Sequence, residues 1–567
     1  MISLAFKLEV LFEHNLISEI DYFFAKSITA AFNEEDPVII ASCAIVSRSL
    51  FEGHICLDIL EIAGTQRPLS ETGDIRLQYP DKETWVTSLI KSSLVSDGIH
   101  TPIVFDSNHK LYLAKYFDFQ NRLVDNIVRR VSVSSDLIDE ILIDEILMEL
   151  FPDCNDHQLP QKRAAKNALL KKFTIISGGP GTGKTHVIGI IRKLISIYAE
   201  KTGQIEQSII SVAPTGKASS KLEEGSTIHA VLRPLFKKPG FHYHKKNPLN
   251  KDVVIIDEAS MIDLPLLVRL LEAIPLESNI IMTGDKHQLT SIQAGAVFSD
   301  ICSVDNLSSV IFSLDRNFRS RGRTGIEKLS KAINERDIKG FESILLSFDY
   351  PDLIYEEYKN RENIMSILQK HVKEGYKSFK EAKNATEAIA GLDEFRILCA
   401  HNKGDFGTLQ INHICEKILR TSDNSDIGKG IFMRPIMVNA NNYKKGLFNG
   451  DTGVVVEKNG EITAFLKSLD NKMISYRCSD LPSHDTAFAI TIHKSQGSEF
   501  DSVMMVIPDK YSPVVTKQLL YTGVTRARKK VILIGNLDVM KAAIRLNVKR
   551  DSGLEEYLKI KLRKQLS

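Results

Sequence analysis

The run Gly178-Gly-Pro-Gly-Thr-Gly183-Lys184-Thr185 fills every position of a phosphate-binding loop. In such a loop the backbone N–H groups of Gly178, Gly179, Gly181, Thr182 and Gly183 converge on nucleotide phosphates at a helix N-terminus, with Pro180 fixing the turn between them. Lys184 reaches the β/γ-phosphates and Thr185 offers its hydroxyl to Mg²⁺. The chemistry this supports is binding and hydrolysis of a nucleoside triphosphate. The elements needed to position the loop are present in the right order: Phe173-Thr-Ile-Ile-Ser177 reads as a buried strand, and Val187, Ile188, Ile190, Ile191, Leu194 and Ile195 recur at helical spacing.

A second constellation follows at a suitable distance. Val253-Val-Ile-Ile256 is an apolar strand that ends in Asp257-Glu258, at the edge of a parallel sheet where ligands bind. Asp257 is suited to hold Mg²⁺, and Glu258 to position or deprotonate an attacking water. The next strand runs into Thr283-Gly284-Asp285-Lys286-His287-Gln288-Leu289, which puts Gln288 where a γ-phosphate sensor would sit. Apolar strands alternate with helical segments at 173–177, 208–213, 253–256, 280–283 and 310–314, the pattern of a parallel sheet covered by helices. A second α/β region is expected from 396–400, 502–507 and 531–534. Between its strands, short β segments at 452–456, 461–465 and 473–477, with Asn459-Gly460 as a hairpin turn, predict a small inserted β-barrel.

The chain of 567 residues is long enough for three or four domains. Three are expected: 1–150, helical, ending in an amphipathic stretch from Leu137 to Leu150; 151–330; and 331–567, with the barrel around 430–480. A net charge of +2 confines any nucleic-acid surface to a local patch. The seven cysteines, Cys43, Cys56, Cys154, Cys302, Cys399, Cys415 and Cys478, contain no C-x-x-C pair, which leaves no zinc or iron–sulfur framework and fits reduced thiols in a cytoplasmic protein. No apolar run approaches the ~20 residues of a membrane span, and residues 1–10 do not read as a secretion signal.

Taken in order, the motifs resemble those of superfamily 1 DNA helicases and specifically the RecD family, the alpha subunit of exodeoxyribonuclease V. The resemblance is carried by Gly178–Thr185, Ala213-Pro-Thr-Gly-Lys217-Ala, Ser226-Thr-Ile-His229, Asp257–Pro265, Gly284–Leu289 and Arg319. It continues through Asn449-Gly-Asp451, Thr491-Ile-His493-Lys-Ser-Gln496-Gly-Ser-Glu499-Phe500 and Tyr521-Thr-Gly-Val-Thr525-Arg526-Ala-Arg528. Gly53–Leu57, Thr101–Val104 and Leu111–Leu113 look like the N-terminal region of the same subunits.

The resemblance implies an α/β architecture of two RecA-like P-loop motor domains, a helical N-terminal domain and a small SH3-like β-barrel insertion in the second motor domain. It implies an ATP- and Mg²⁺-dependent 5′→3′ helicase on DNA single strands and duplex ends, in a heterotrimer with RecB-like and RecC-like subunits and away from membranes. Residue by residue, Gln161 matches an adenine-recognising glutamine, and Arg319 and Arg526 match arginines that reach the γ-phosphate, with Arg316 a neighbour of Arg319 suited to the same role. Glu499 is implied at the ribose or triphosphate. Thr215, Lys217, His229, Thr491 and His493 fall in motifs that grip single-stranded DNA by its sugar–phosphate backbone. Phe448 is either a base-stacking aromatic or a core residue of the inserted barrel, the latter being preferred. Three alternatives remain open: a stand-alone RecD-like helicase, a P-loop switch that does not unwind, and a nuclease.

Overall fold

In the computed structural model, the described residues are 2–566 except 71–72, 134–137, 153–157, 236–237, 292, 317–323, 348, 359–360, 422–431, 443–444, 459–460, 468–471 and 547–549. Two parallel sheets dominate. The first has the spatial order Gly225–Thr227, Ile209–Ala213, Val253–Ile256, Asn279–Gly284, Phe173–Gly178, Ile311–Leu314, with every pair parallel. Its central strands are apolar on both faces because helices cover both. The second sheet runs Leu353–Glu356, Ala527–Ile534, Phe500–Val506, Phe395–Cys399, Ala489–Thr491, again all parallel.

The α/β pattern expected from the sequence is therefore present, with strands added that were not anticipated. Gly225–Thr227 and Ala489–Thr491 have three residues each and Leu353–Glu356 four, and all three lie at sheet edges, where short segments show no readable alternation. Between Phe395–Cys399 and Ala489–Thr491 the chain builds an antiparallel sheet of order Met473–Arg477, Glu461–Lys467, Thr452–Lys458, Phe432–Val438, His484–Thr486 around its own small core. Among the described residues its two edge strands are not paired with each other. The Asn459-Gly460 turn lies outside the described residues.

The N-terminal region departs from the helical expectation. Besides the helices Glu19–Ala31, Pro37–Phe51 and Lys82–Lys91 it holds a three-stranded sheet (Ile2–Ala5, Ile75–Gln78, Gln66–Pro68) and a four-stranded one (Leu57–Asp58, Lys110–Leu113, Ile103–Phe105, Val95–Ser96). Strands of two to four residues leave too few positions for a period of two to show. Among the described residues no helix is long and apolar enough to cross a membrane.

The hydrophobic cores do not divide at residue 150. Most core residues up to Leu113 pack in a cluster around Trp85, whose indole N–H donates to Ser42 Oγ at 2.8 Å, while Ile55, Cys56, Val104 and Tyr112 join the core of the first parallel sheet. The following helix, Ala114–Val131, instead buries Phe117, Leu123, Val124 and Ile127 in the same cluster as the first parallel sheet, and Glu140–Leu150 packs Ile143, Ile146 and Leu147 against the helix Lys184–Thr202. The C-terminal helix Leu554–Leu566 closes that core with Leu554, Leu558 and Leu562. It is tied to the N-terminal region by Ile55 N donating to Asp551 O (2.8 Å), Asp551 N donating to His54 Nδ1 (2.9 Å) and a Lys110–Glu556 ion pair (2.9 Å).

Arg130 shows how tightly the helix Ala114–Val131 belongs to the first sheet. Its buried guanidinium donates to the carbonyls of Leu271, Ile274, Pro275 and Ser278, at the end of the helix Leu264–Ala273 and in the following turn, where Leu271 O and Pro275 O also accept from Ile274 N and Ser278 N. Arg130→Met keeps the stem and removes the charged donor from all four carbonyls at once, so unfolding in denaturant is expected to show a loss of about 3 kcal/mol. An unchanged midpoint would mean that water satisfies the carbonyls.

Candidate nucleotide site and nucleic-acid face

The carboxyl ends of the first sheet's strands supply the phosphate loop, Asp257-Glu258 and Asp285 side by side. Gly181 and Gly183 take φ of 81° and 92°, the left-handed region that lets the loop turn into the helix Lys184–Thr202. Thr182 Oγ1 donates to Gly179 O (2.8 Å), and Lys184 Nζ sits inside the loop, donating to Gly178 O (2.5 Å) and Gly179 O (2.9 Å). Thr185 is exposed on the first turn of that helix. Gln161 is 2% exposed and donates from Nε2 to Thr182 O (3.1 Å), so its amide nitrogen braces the loop. Pro180, with Gly178, Gly179 and Thr182, lines a cavity of about 460 Å³ whose far wall is Tyr521, Thr525 and Arg528.

The two acids are held differently. Asp257 accepts a short hydrogen bond from Thr283 Oγ1. Glu258 adopts φ 51°, a left-handed conformation that a β-substituted residue takes only when its surroundings enforce it. Burial, with the neighbouring Asp257 charge, raises its pKa above the ordinary carboxylate value, while Arg526 and Lys184 pull it back down. The Glu258 carboxylate is therefore in the field of a cation from each side of the cleft.

The second sheet meets this site with its amino-terminal edge. Arg526, just before Ala527–Ile534, is 2% exposed, donates from Nε to Thr522 O (3.2 Å) and from Nη1 to Ser498 O (3.1 Å), and leaves Nη2 buried without a partner. Gln288, also 2% exposed, leaves its Oε1 unpaired in the same way. Among the described residues, buried polar atoms without partners also occur elsewhere, as at Asp352 Oδ1 and Arg396 Nε, and two of them are on residues assigned to the γ-phosphate. The turn that carries Gln288 is gripped from across the cleft: Tyr521 Oη donates to Asp285 Oδ2 (3.0 Å), Leu289 N to Thr522 Oγ1 (2.9 Å), and Gln496 Nε2 to Leu289 O (2.7 Å). Sequence reasoning quoted these residues within motifs but gave them no task, because a cross-cleft partner has no local signature. Arg319 lies outside the described residues.

Glu499 is not brought to the phosphate loop. It lines a second cavity, of about 490 Å³, with Lys217, Lys221, Asp393, Asp451 and Arg528. This cavity marks where three segments assigned to nucleic acid converge. A Cβ on Gly216 would lie 3.7 Å from Phe448 Cβ and 3.8 Å from Asp451 Oδ1, and one on Gly497 would lie 3.4 Å from Ala218 Cβ and 3.6 Å from Thr215 Oγ1. Thr215 Oγ1 also caps the helix Gly216–Ser219, accepting from Ala218 N at 3.2 Å. Phe448 is half-buried on this face, and its neighbour Leu447 is the residue in the core of the antiparallel sheet, which reverses the core placement expected for Phe448. Thr491 Oγ1 accepts from Lys494 N (3.3 Å), and burial, with the Arg550 charge, lowers the pKa of His493. His229 stands apart, exposed, its ring 5.8 Å from Phe241.

Lys217 lies over the buried ring of Phe500 at 5.4 Å, and Arg396 lies 5.2 Å from the same ring. Burial, with the Arg396 charge, pushes the Lys217 ammonium down to about 8. Asp451 is pushed up to about 6 by burial, against the opposing pull of the Phe448 N–H and Lys217.

Family models match three segments: an AAA domain over residues 161–294, the UvrD-like helicase C-terminal domain over 486–534, and the RecBCD enzyme subunit RecD N-terminal domain over 13–112. The RecBCD enzyme subunit RecD of Mycobacterium tuberculosis is 32% identical over 572 residues, covering 95% of this chain and 94% of that one. That of Mycolicibacterium smegmatis is 29% identical over 96% of this chain and 98% of its own. The ATP-dependent RecD2 DNA helicase of Deinococcus radiodurans is 24% identical over 68% of this chain and 50% of its own length.

The Asp451 shift gives a signed prediction. Its folded-state pKa, about 6, stands above the ordinary 3.8, so its contribution to stability is full below 3.8 and is lost as pH rises through 6. Asp451→Asn keeps an oxygen for the Phe448 N–H and removes the buried charge. Unfolding measurements are expected to find it more stable than the parent by ~1–3 kcal/mol at pH 7.5, with the difference vanishing below pH 4.

Proposed function

The chain belongs to the RecD family of superfamily 1 helicases, and on that premise we propose that it is the motor subunit of a RecBCD-type exonuclease complex. In this role it is an ATP-dependent DNA helicase moving 5′→3′ from duplex ends, in double-strand break repair and recombination. The observation that carries the catalytic reading is Glu258 at the carboxyl end of Val253–Ile256, in a left-handed conformation and within the electrostatic field of both Lys184 of the phosphate loop and Arg526 of the second sheet. The complex-forming type is favoured over the stand-alone one because the match runs along nearly the whole of the RecBCD subunits but half of the RecD2 helicase.

On this reading residues 151–330 and 331–567 are two RecA-like motor domains, the second with a barrel-like insertion. The docking surface for RecB-like and RecC-like partners lies in the N-terminal region, residues 1–150, most of whose first 113 residues gather around Trp85. ATP binds between the sheets. Glu258 accepts the proton of the attacking water, its raised pKa suiting a base that must hold a proton, and Lys184 and Arg526 take up the charge that spreads over the transferring phosphoryl group. Thr185 and Asp257 are the oxygen donors for Mg²⁺, which neutralises phosphate charge. Opening and closing of the cleft moves Thr215 and Lys217 relative to Thr491 and His493, so that a backbone-gripping surface advances along one strand without reading bases.

Glu258→Gln removes the base and keeps Lys184, Thr185 and Asp257. It is expected to bind ATP within a few-fold of the parent and to lose at least about 10²-fold in kcat, whereas Lys184→Gln loses both. Loss of ATP affinity in Glu258→Gln equal to that of Lys184→Gln would make Glu258 a ligand and not a base.

Strand displacement on partial duplexes tests the rest. Unwinding from 5′ overhangs and not from 3′ overhangs is expected. The reverse preference overturns the polarity, and DNA-independent hydrolysis with no unwinding points to a P-loop switch. Purification of the native protein is expected to bring two large partner chains with it; a single chain active alone favours the stand-alone alternative.

A further inference from the structure

Tyr521 occupies a place that neither the phosphate loop nor the arginine explains. It lies on the helix Lys517–Val524 of the second sheet, yet its phenol oxygen is 3.0 Å from Asp285 Oδ2, at the carboxyl end of a first-sheet strand. Both residues are buried, at 5% and 2% exposed. The same oxygen would be 3.0 Å from a Cβ placed on Gly179, so the phenol abuts the backbone of the phosphate loop. Asp285 is committed on its other oxygen, where Oδ1 accepts from His287 N at 2.9 Å in the turn that carries Gln288.

A chain of contacts leads from this hydrogen bond to Arg526. Thr522, the next residue, receives Leu289 N on its hydroxyl and offers its carbonyl to Arg526 Nε, while Arg526 N donates to Gly523 O at 3.2 Å. Fixing the phenol on Asp285 therefore fixes the helix end from which the guanidinium projects, and it does so relative to the loop that holds the phosphates. We infer that Tyr521 is a positioning residue for ATP hydrolysis, its hydroxyl docking on Asp285 beside Gly179 to set the distance between Arg526 and the phosphate site. The inference rests on the ATPase reading above and adds to it a residue that touches neither the water nor the metal donors.

Tyr521→Phe deletes the hydroxyl and keeps the ring in the second sheet's core. In the full chain it is expected to melt as the parent does and to hold ATP with a KM within about threefold, while DNA-stimulated kcat falls about tenfold, the split that marks loss of an interaction made as the reaction proceeds. Asp285→Ala is expected to lose at least as much. Asp285→Asn, whose Oδ1 can still accept from His287 N while its Nδ2 donates to the phenol oxygen, keeps the contact with its direction reversed and is expected to recover most of the rate. The double variant Tyr521→Phe/Asp285→Ala is expected to be no slower than Asp285→Ala alone, because the two act as one pair. Full turnover by Tyr521→Phe, or losses that multiply in the double variant, would overturn the assignment while leaving the ATPase reading in place. A parent chain with no DNA-stimulated hydrolysis would remove that reading and this inference with it.

Discussion

Everything at the cleft depends on one geometrical constraint: two parallel sheets face each other through opposite ends. The first presents the carboxyl ends of its strands, where the phosphate loop, Asp257-Glu258 and Asp285 emerge. The second presents the starts of Phe500–Val506 and Ala527–Ile534, and hence Gln496 and Arg526. A carboxyl edge is where a parallel sheet collects its ligand-binding loops. With such an edge on one side only, the nucleotide residues divide into a binding set and a completing set that a relative movement of the sheets can separate. That division explains why Arg526 and Gln288 keep unpaired polar atoms in a buried setting, for pairing them permanently within one sheet would make the site independent of closure.

A movement of this kind needs one side to be rigid, and the ends of the chain supply this to the first sheet. The C-terminal segment leaves the second sheet, passes Arg550 against the carbonyls of Ser291 (2.6 Å) and Gln293 (3.2 Å), and lays Leu554–Leu566 on the first sheet's core. Gly295 N donates to Gly53 O (2.9 Å), which joins the same segment to the N-terminal region. The stretch that follows Gln288 is thus held by the N-terminal region and the C-terminal segment together.

How much of this could be read from sequence depends on whether the information is local. The phosphate loop, the strand before it and the acids after Ile256 are contiguous signals, since a glycine run, an apolar strand and a charge each act through neighbouring backbone. The surroundings of Glu499, which lines the cavity of Lys217, are not legible for the opposite reason. Nothing in its neighbours tells whether a residue before a strand turns toward the phosphate loop or toward Lys217, and only the pairing of the sheets decides. Tyr521 and Asp285 stand as letters in two motifs 236 residues apart, but the hydrogen bond between them is a property of how the two sheets meet. The N-terminal strands were illegible because two to four residues cannot display a period. The shared core of Ala114–Val131 with the first sheet was illegible because an amphipathic stripe does not name its partner.

The arrangement around Phe500 shows how the nucleic-acid face can remain basic in a chain with a net charge of only +2. A phosphate backbone needs cations that are not already neutralised by carboxylates, yet an ammonium with few counter-charges loses much of its hydration when half-buried. Lys217 resolves the conflict on the ring of Phe500, whose π face stabilises a cation without delivering a negative charge that would repel phosphate. Arg396 occupies the same ring and donates to Ala487 O (2.6 Å), so it too is stabilised by a dipole and a π face. Asp393 and Asp451 both act on Lys217, and burial disfavours the charged form of the Asp451 carboxyl. Burial thus weakens one of the negative charges where the three converging segments meet. It is also why the same surface carries a cation lowered to about 8 and an acid raised to about 6: both shifts follow from water excluded at a place that is built to receive an anion.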